Sequence, residues 1–310
     1  MNKYELMKHI GSIEQIGGMK DFTFNEGKSK GVRAIEIDTG VVRFTVLPDR
    51  GMDIAQAYYK GMPVSWISKT GVVSPVYYEK DGRNFLRGFF GGLVTTCGLK
   101  NIGGPYGEMG LHGRISNIPA ENISKYCAWE GDEYIMRVSG EMRETSAMGE
   151  NLLLKRTITT KLFSNEFVLT DTVVNEGFSE EKTALCYHCN FGYPLVCEDA
   201  KIVNVPKEHS KISPPMHAVG EKCIDVKYGR GENVTVGIEN DKMGAYITYN
   251  TSNLPDFLIW NMPSESDYVI GLEPRTTSLG GANIEKNNKY VILKPSEEYK
   301  TELKFSFSDL

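Results

Sequence analysis

No stretch of this sequence approaches the roughly 18 consecutive apolar residues that a membrane-spanning helix requires. Long basic runs are missing too. The formal net charge of the 310 residues is −5, from 35 lysines and arginines and 40 aspartates and glutamates. A mildly acidic surface attracts neither the phosphates of a nucleic acid nor an anionic bilayer. We therefore expect no nucleic acid and no membrane among the partners.

Cysteine is scarce, with six in the whole chain. Charged residues interrupt the first segment before any apolar stretch forms, which is not typical of a secretion signal. We therefore predict a cytoplasmic protein with reduced thiols. Cys186 and Cys189 have the C-x-x-C spacing of redox and zinc sites. In a strand these two point to opposite faces, and no second pair completes a tetrahedral site, so no metal is predicted.

Nucleotide and nucleophile motifs are also missing. The glycine pairs Gly91-Gly92 and Gly103-Gly104 match neither the dinucleotide fingerprint nor a phosphate-binding loop, and no G-x-S-x-G elbow occurs. Patterns typical of long helices are absent as well, and only residues 3–10 fit a short helix.

The dominant pattern is an alternation of apolar and polar residues, which indicates strands with one buried and one wet face. Alternating runs include Val42, Phe44 and Val46; Tyr134, Met136 and Val138; Leu154, Ile158 and Leu162; and Tyr299, Leu303, Phe305 and Phe307. Ser164-Asn165-Glu166 separates two runs and predicts a hairpin. These patterns predict an all-β, mostly antiparallel protein. No linker divides the chain, so we predict a single domain over residues 1–310. The irregular stretch 201–232 is expected to be a loop over a site.

Two strands carry polar residues on a face that a core would not favour. If residues 185–191 form a strand, Cys186, His188 and Asn190 share the face opposite the apolar one. Glu273 likewise projects away from the apolar face of its strand, beside Gly271, and Pro274 is expected to end the pairing. Because glutamates are common at strand ends, the pattern alone favours a salt bridge or an exposed strand end as the explanation of Glu273. His112 lies between Gly110 and Gly113, where a ligand could reach it, or it is an ordinary loop histidine.

These residues resemble motifs of the galactose mutarotases, in the same order along the chain. Gly110-Leu111-His112-Gly113 is similar to their N-G-L-H-G-G segment. Tyr187-His188-Cys189-Asn190-Phe191-Gly192 is similar to N-H-x-Y-F-N, and Gly271-Leu272-Glu273-Pro274 to the strand of their catalytic glutamate. Segments 48–54, 91–99 and 111–116 resemble a bacterial aldose 1-epimerase-like branch. The resemblance covers about residues 31–293.

The resemblance implies a galactose mutarotase-like β-supersandwich with a sugar cleft on one concave sheet face. It also implies aldose 1-epimerase activity. Glu273 would be the base that removes the proton from the C1 hydroxyl, and His188 the acid that protonates the ring oxygen. His112 would hold the ring oxygen or a nearby hydroxyl, and Asn190 would contribute to binding. Because the reaction moves one proton in and one out, no cofactor is expected, and the partner would be a small carbohydrate.

Mutarotases of this type also use an early arginine and an aspartate between the second histidine and the glutamate. Arg87 is the positional candidate for the arginine, and Arg50 and Asp53 are further binding candidates. The aspartate stays open among three residues, namely Asp225, Asp241 and Asp256. Trp260 fits either the core or the face of a pyranose.

Arg114 stands where the second glycine of H-G-G usually stands. An added guanidinium could favour an acidic or phosphorylated sugar, which makes an epimerase of such a sugar one alternative. A sugar-binding or sensing protein without turnover is the other. Edge strands make a homodimer compatible with the sequence.

Overall fold

The computed structural model describes residues 2–310. In this part of the chain, β-strands dominate and no helix exceeds five residues. The strands are β1 (Gly18–Thr23), β2 (Arg33–Asp38), β3 (Val42–Leu47), β4 (Asp53–Tyr59), β5 (Met62–Pro63), β6 (Thr95–Cys97), β7 (Glu121–Glu130), β8 (Glu133–Thr145), β9 (Asn151–Lys161), β10 (Glu166–Asn175), β11 (Glu181–Thr183), β12 (Cys186–Phe191), β13 (Lys201–Val203), β14 (Lys222–Val226), β15 (Asn233–Glu239), β16 (Met243–Asn250), β17 (Asp256–Ser264), β18 (Asp267–Arg275), β19 (Val291–Leu293) and β20 (Glu298–Asp309). The α-helices are α1 (Lys3–Met7), α2 (Lys207–Ser210) and α3 (Ala282–Lys286), and single 3-10 turns span Ile13–Gln15, Gly27–Ser29, Pro75–Tyr77, Asn84–Arg87 and Ile115–Asn117.

The alternation read from the sequence becomes the burial pattern of the strands. In β20, Leu303, Phe305 and Phe307 are buried while the residues between them are partly exposed. The predicted hairpin is confirmed, because β9 and β10 pair antiparallel on either side of the turn that contains Ser164. The predicted helix over residues 3–10 forms only as α1, which the side chain of Asn2 caps.

Four sheets result, and every pairing between strands is antiparallel in the described residues. Their strand orders are β1-β2-β3-β4-β5, β13-β15-β16-β20-β10-β9-β8-β7, β11-β19 and β14-β17-β18-β12-β6. The stretch 201–232, expected to be a loop, instead contains β13, α2 and β14 between irregular segments. Residues of β14 are extended because they pair with β17, which makes β14 an edge strand of the β14-β17-β18-β12-β6 sheet.

One large apolar cluster joins the sheets. Phe167 on β10 stacks between Phe44 on β3 and Phe305 on β20, with ring centroids 4.3 and 4.8 Å apart. Tyr187 on β12 and Ile270 on β18 bury their side chains in the same cluster. The apolar faces of the sheets are therefore packed together, and the opposite face of the β14-β17-β18-β12-β6 sheet remains available for other contacts. The predicted all-β, mostly antiparallel fold is confirmed.

In residues 2–310 we find no helix with the length and apolar character to cross a lipid bilayer. The single domain over residues 1–310, the homodimer and the cytoplasmic location stay predictions.

Candidate active site

Two neighbouring strands, β12 and β18, place His188 and Glu273 side by side. Their antiparallel register pairs Cys189 with Leu272, which puts His188 directly across from Glu273. Side chains at opposed positions leave the sheet on the same face. Nε2 of His188 lies 3.2 Å from Oε1 of Glu273. The two residues predicted as acid and base are therefore neighbours.

His188 is oriented by Asn190, two positions further along the same face of β12. Nδ2 of Asn190 donates to the main-chain oxygens of Gly92 (3.0 Å) and His188 (2.9 Å). Its Oδ1 therefore faces Nδ1 of His188, at 2.5 Å. Because an amide oxygen only accepts, this network assigns the ring proton to Nδ1 and leaves the lone pair of neutral His188 at Nε2, facing Glu273. Asn190 acts on the imidazole and does not line the cavity described below.

Glu273 is 2% exposed, and its two carboxylate oxygens have different neighbours. Oε2 accepts a hydrogen bond from Sγ of Cys186 at 3.3 Å. Oε1 has no hydrogen-bond donor among the described residues. A buried carboxylate oxygen without a donor is costly, and such exceptions occur where a ligand, a water or a catalytic function is expected.

The titration of this pair follows from burial. Burial raises the pKa of Glu273 to about 7, against the opposing attraction of His112. Burial, and next the repulsion from His112, lowers the pKa of His188 to about 3. Nε2 of His188 and Oε1 of Glu273 are both acceptors, so their close contact is favourable only when one proton lies between them. Near neutral pH the pair carries at most this one proton, and the higher pKa of Glu273 places it on the carboxyl group. The two side chains therefore titrate as a unit.

His112 joins this pair from a loop. Its main chain has a positive φ of 61°, and its N–H donates to the oxygen of Gly103 at 2.8 Å. The N–H of Gly103 donates in return to Nδ1 of His112 at 3.3 Å, so the neutral ring carries its proton on Nε2. The flanking glycines serve the backbone rather than ligand access. A Cβ on Gly113 would lie 2.3 Å from the oxygen of Gly98, and one on Gly110 would clash with the main chain of residue 80.

A cavity of about 380 Å³ opens over these side chains. That volume is within the roughly 300–1,000 Å³ of small-molecule sites. Aromatic rings form one wall: the ring centroid of His188 lies 4.9 Å from Trp260 and 5.1 Å from Phe89. His112 lies 5.7 Å from His188 in the same measure. Trp260 therefore both packs against neighbouring aromatic rings and lines the cavity.

Charged side chains line the outer part of the cavity in pairs. Arg275 donates to Asp225, and Arg83 lies 3.6 Å from Glu221. Glu221 also accepts from Nε1 of Trp260 at 2.8 Å. Of the three aspartates left open by the sequence, Asp225 is the one that lines the cavity, whereas Asp256 pairs with Lys227.

The structure does not bring Arg50 and Asp53 to the cavity. Arg50 is 1% exposed and donates to the main-chain oxygens of Ser116 (2.8 Å), Val73 (2.6 Å) and Gly88 (3.1 Å). Asp53 is fully buried and pairs with Arg156 at 2.9 Å. The expectation that both residues contact the sugar is therefore corrected, because their side chains are buried in structural contacts.

Arg87 and Arg114 also lie away from the cavity lining. Arg87 is mostly exposed and faces Glu79 at 3.9 Å. Arg114 faces Glu144 at 3.7 Å, and Glu144 accepts from the main-chain N–H of Leu99 at 2.9 Å. Each guanidinium instead faces a carboxylate outside the cavity lining, and a contact of either arginine with the sugar stays a prediction.

Sequence reasoning missed Glu221, Arg275 and Cys186 as cavity residues. Cys186 shares the alternating face of His188, so the strand pattern already placed it there. Arg275 follows Pro274, where the pairing was expected to end, yet β18 continues through it. Glu221 carries no signal, because it lies in an irregular segment before β14. In residues 2–310 no cluster of three or more His, Cys, Asp or Glu is arranged to hold a metal ion.

The comparisons with known proteins agree with this fold. A family model described as a domain of unknown function, DUF4432, matches residues 29–307. No curated protein sequence matches the chain significantly. A Klebsiella pneumoniae protein, named provisionally as an aldose 1-epimerase, is 23% identical with a TM-score of 0.87, over 99% of this chain and 86% of its own.

Two further structures are more distant. A galactose mutarotase-like protein from Clostridium acetobutylicum is 14% identical with a TM-score of 0.65, over 96% of this chain and 100% of its own. An aldose epimerase homologue from C. elegans is 12% identical with a TM-score of 0.56, over 95% and 99%. These likenesses confirm the galactose mutarotase-like fold.

Proposed function

The chain belongs to the DUF4432 family, and we propose that it is a mutarotase, an aldose 1-epimerase-like isomerase that interconverts the anomers of a free sugar. The observation that carries this proposal is Oε1 of Glu273, which is buried without a donor, lies 3.2 Å from Nε2 of His188 and lines the cavity. The names of structures with the same fold are consistent with it.

The proposed reaction needs one base and one acid. Oε1 of Glu273 takes the proton of the C1 hydroxyl while Nε2 of His188 gives a proton to the ring oxygen. The bond between C1 and the ring oxygen breaks, and C1 becomes an aldehyde. Rotation about the C1–C2 bond presents the other face of the aldehyde. Closure reverses both proton transfers, so the protein ends in its starting state.

The proton count of the pair fits these roles. The pair with one proton exists as protonated Glu273 with neutral His188, or as carboxylate with imidazolium. The reactive form is the second, in which the base and the acid are both ready. Asn190 stabilises that imidazolium, because Oδ1 accepts from Nδ1 in either form. A sugar bound between the two side chains replaces their direct contact with its own hydroxyl groups.

His112 is a donor in this scheme. Because its Nδ1 accepts from Gly103, its Nε2–H is free to donate to a hydroxyl or to the ring oxygen. Burial lowers the pKa of His112, which keeps the ring neutral and this donor fixed.

The charges of the cavity favour a neutral sugar. Both guanidinium groups among the described lining residues already have carboxylate partners, Asp225 for Arg275 and Glu221 for Arg83. A phosphate or uronate would have to compete with them and would approach the Glu273 carboxylate. Nε of Arg275 is buried without an acceptor, and a sugar hydroxyl could provide one.

The test is anomer exchange measured by saturation-transfer NMR across neutral, acidic and phosphorylated aldoses. We expect exchange above background for at least one neutral aldose. Glu273→Gln and His188→Asn should each lower the rate by a factor on the order of 10²–10⁴, with unchanged circular dichroism. Binding of sugars without exchange would replace the enzyme by a sensing protein, and full activity in either variant would contradict the assigned roles.

A further inference from the structure

Cys186 and His188 approach the same carboxylate from the same face of β12. Cys186 lies two residues before His188, so their side chains point the same way. Sγ of Cys186 contacts Oε2 of Glu273 at 3.3 Å, and Nε2 of His188 contacts Oε1 at 3.2 Å. Each oxygen of Glu273 therefore has its own neighbour on β12, and all three side chains line the cavity.

We propose that Cys186 is a positioning residue of this site, whose thiol binds Oε2 of Glu273 and thereby keeps Oε1 turned toward His188 and the cavity as the basic atom. This inference rests on the proposed function, since it explains how the proposed base is aimed. A second observation supports it: Oε1 is the oxygen left without a donor, although the residue is 2% exposed.

The thiol is available as a donor because it stays protonated. Interaction with the thiol of Cys97, burial and the nearby Glu273 raise the pKa of Cys186 well above its ordinary value, and the acceptor of its single S–H proton in the structure is Oε2 of Glu273. Cys97 lies directly across from Cys186 in the pairing of β6 and β12. An S–H group is a weak donor. It can therefore fix the orientation of the carboxylate while lowering the basicity of the carboxylate only slightly. A hydroxyl at the same place would lower that basicity more strongly.

Several other charged or titratable groups lie around Glu273, and the test must separate them from the thiol. They are His112 from its loop, His188 from β12, Arg275 from the same strand, and Glu221 before β14, with Cys223 and Asp225 on β14 further out. None of these is altered by a substitution of the sulfur atom alone. The hydrogen bond from Cys186 itself lowers the pKa of Glu273, against the larger effect of burial.

The test compares Cys186→Ser and Cys186→Ala with the unmodified protein. Serine offers a stronger donor to Oε2 and alanine offers none. The titration of Glu273 is followed by NMR of ¹³C-carboxyl-labelled glutamate, with its signal assigned by loss in Glu273→Gln. We expect the pKa of Glu273 to fall in the serine variant and to rise in the alanine variant, each by up to about one unit. The high-pH limb of kcat/KM for anomer exchange should shift in the same directions.

The matched control is Cys127→Ser, which removes an exposed thiol on β7, away from the site. It should leave the titration unchanged. Equal pKa values in all forms, or shifts of the same sign for serine and alanine, would overturn the proposal. If the alanine variant does not fold, the sign of the serine shift decides. The titration needs no turnover, so the two proposals can fail separately. Shifts of the Glu273 pKa without any anomer exchange would contradict the proposed function alone. Anomer exchange without shifts of the Glu273 pKa would contradict the role of Cys186 alone.

Discussion

Two of the groups of buried charged side chains differ in how completely their hydrogen bonds are satisfied. Around Arg156, which is fully buried, Nε and Nη2 donate to both oxygens of Asp171 at 2.8 and 2.6 Å. Nη1 donates to Asp53 at 2.9 Å, and the hydroxyl of Tyr187 donates to Asp171 at 2.8 Å. In the other group, Glu273 keeps one oxygen without a donor and faces a cavity.

The two groups are separated by a single strand. Tyr187 and His188 are consecutive residues of β12, so one points to the Arg156 cluster and the other to the cavity. The comparison teaches that a buried charge is not by itself a mark of function. A carboxylate whose partners are complete stabilises the packing between sheets, whereas one with an unfilled acceptor beside open space is suited to bind and react.

The largest effect is expected from removing the central charge of the first group. Arg156→Met leaves Asp53 and Asp171 buried without a cation, so we expect the free energy of unfolding to fall by about 3–5 kcal/mol. Urea denaturation measures this directly. Activity per folded molecule should change little, since Arg156 does not reach the cavity. A stable but inactive Arg156→Met variant would contradict the division between the two groups.

The second prediction concerns the pH dependence of stability that Glu273 causes. Its folded-state pKa of about 7 lies above the ordinary value of 4.5. The folded state therefore binds this proton more tightly than the unfolded state. The resulting stabilisation is fully present below pH 4.5 and is lost as the pH rises from 4.5 through about 7. The loss amounts to about 3 kcal/mol.

Glu273→Gln removes this dependence and serves as the probe. Its stability relative to the unmodified protein should rise between pH 4.5 and 7 and then level off, as followed by urea denaturation at several pH values. His188 acts in the opposite direction: its pKa of about 3 contributes stability that is present above pH 6.5 and lost toward pH 3. A difference that stays flat across pH would mean that Glu273 titrates normally.

A smaller effect is expected at Asn190. Asn190→Leu removes the acceptor for Nδ1–H of His188 and leaves the ring free to turn or to change tautomer. We expect kcat for anomer exchange to fall on the order of tenfold, from the loss of the one hydrogen bond that orients the imidazole. The loss of the two bonds to main-chain oxygens should lower the stability of the fold. KM should change less, because Asn190 does not line the cavity. A rise in KM at constant kcat would instead indicate direct contact with the sugar.

The sequence predicts one half of this comparison better than the other. Alternation places His188 and Glu273 away from the apolar faces of their strands, because period two is a local property of the chain. Whether a buried polar residue meets a partner or a cavity depends on other strands. Arg50 and Asp53 therefore look like binding residues in sequence and prove to be structural, and Glu221 gives no signal at all. Strand pairing across the chain, as between β12 and β18, decides these cases.

The smallest effect is expected at Arg114, the residue that suggested an acidic sugar. Its guanidinium faces Glu144 at 3.7 Å and does not line the cavity. Arg114→Ala should change kcat/KM by no more than about twofold, since a partly exposed ion pair contributes little. The ratio of activity on neutral and anionic sugars should also stay constant. Arg275→Met is the matched comparison, because that arginine does line the cavity and should lower kcat/KM more strongly. A loss of anionic-sugar activity confined to Arg114→Ala would bring this residue back into the site.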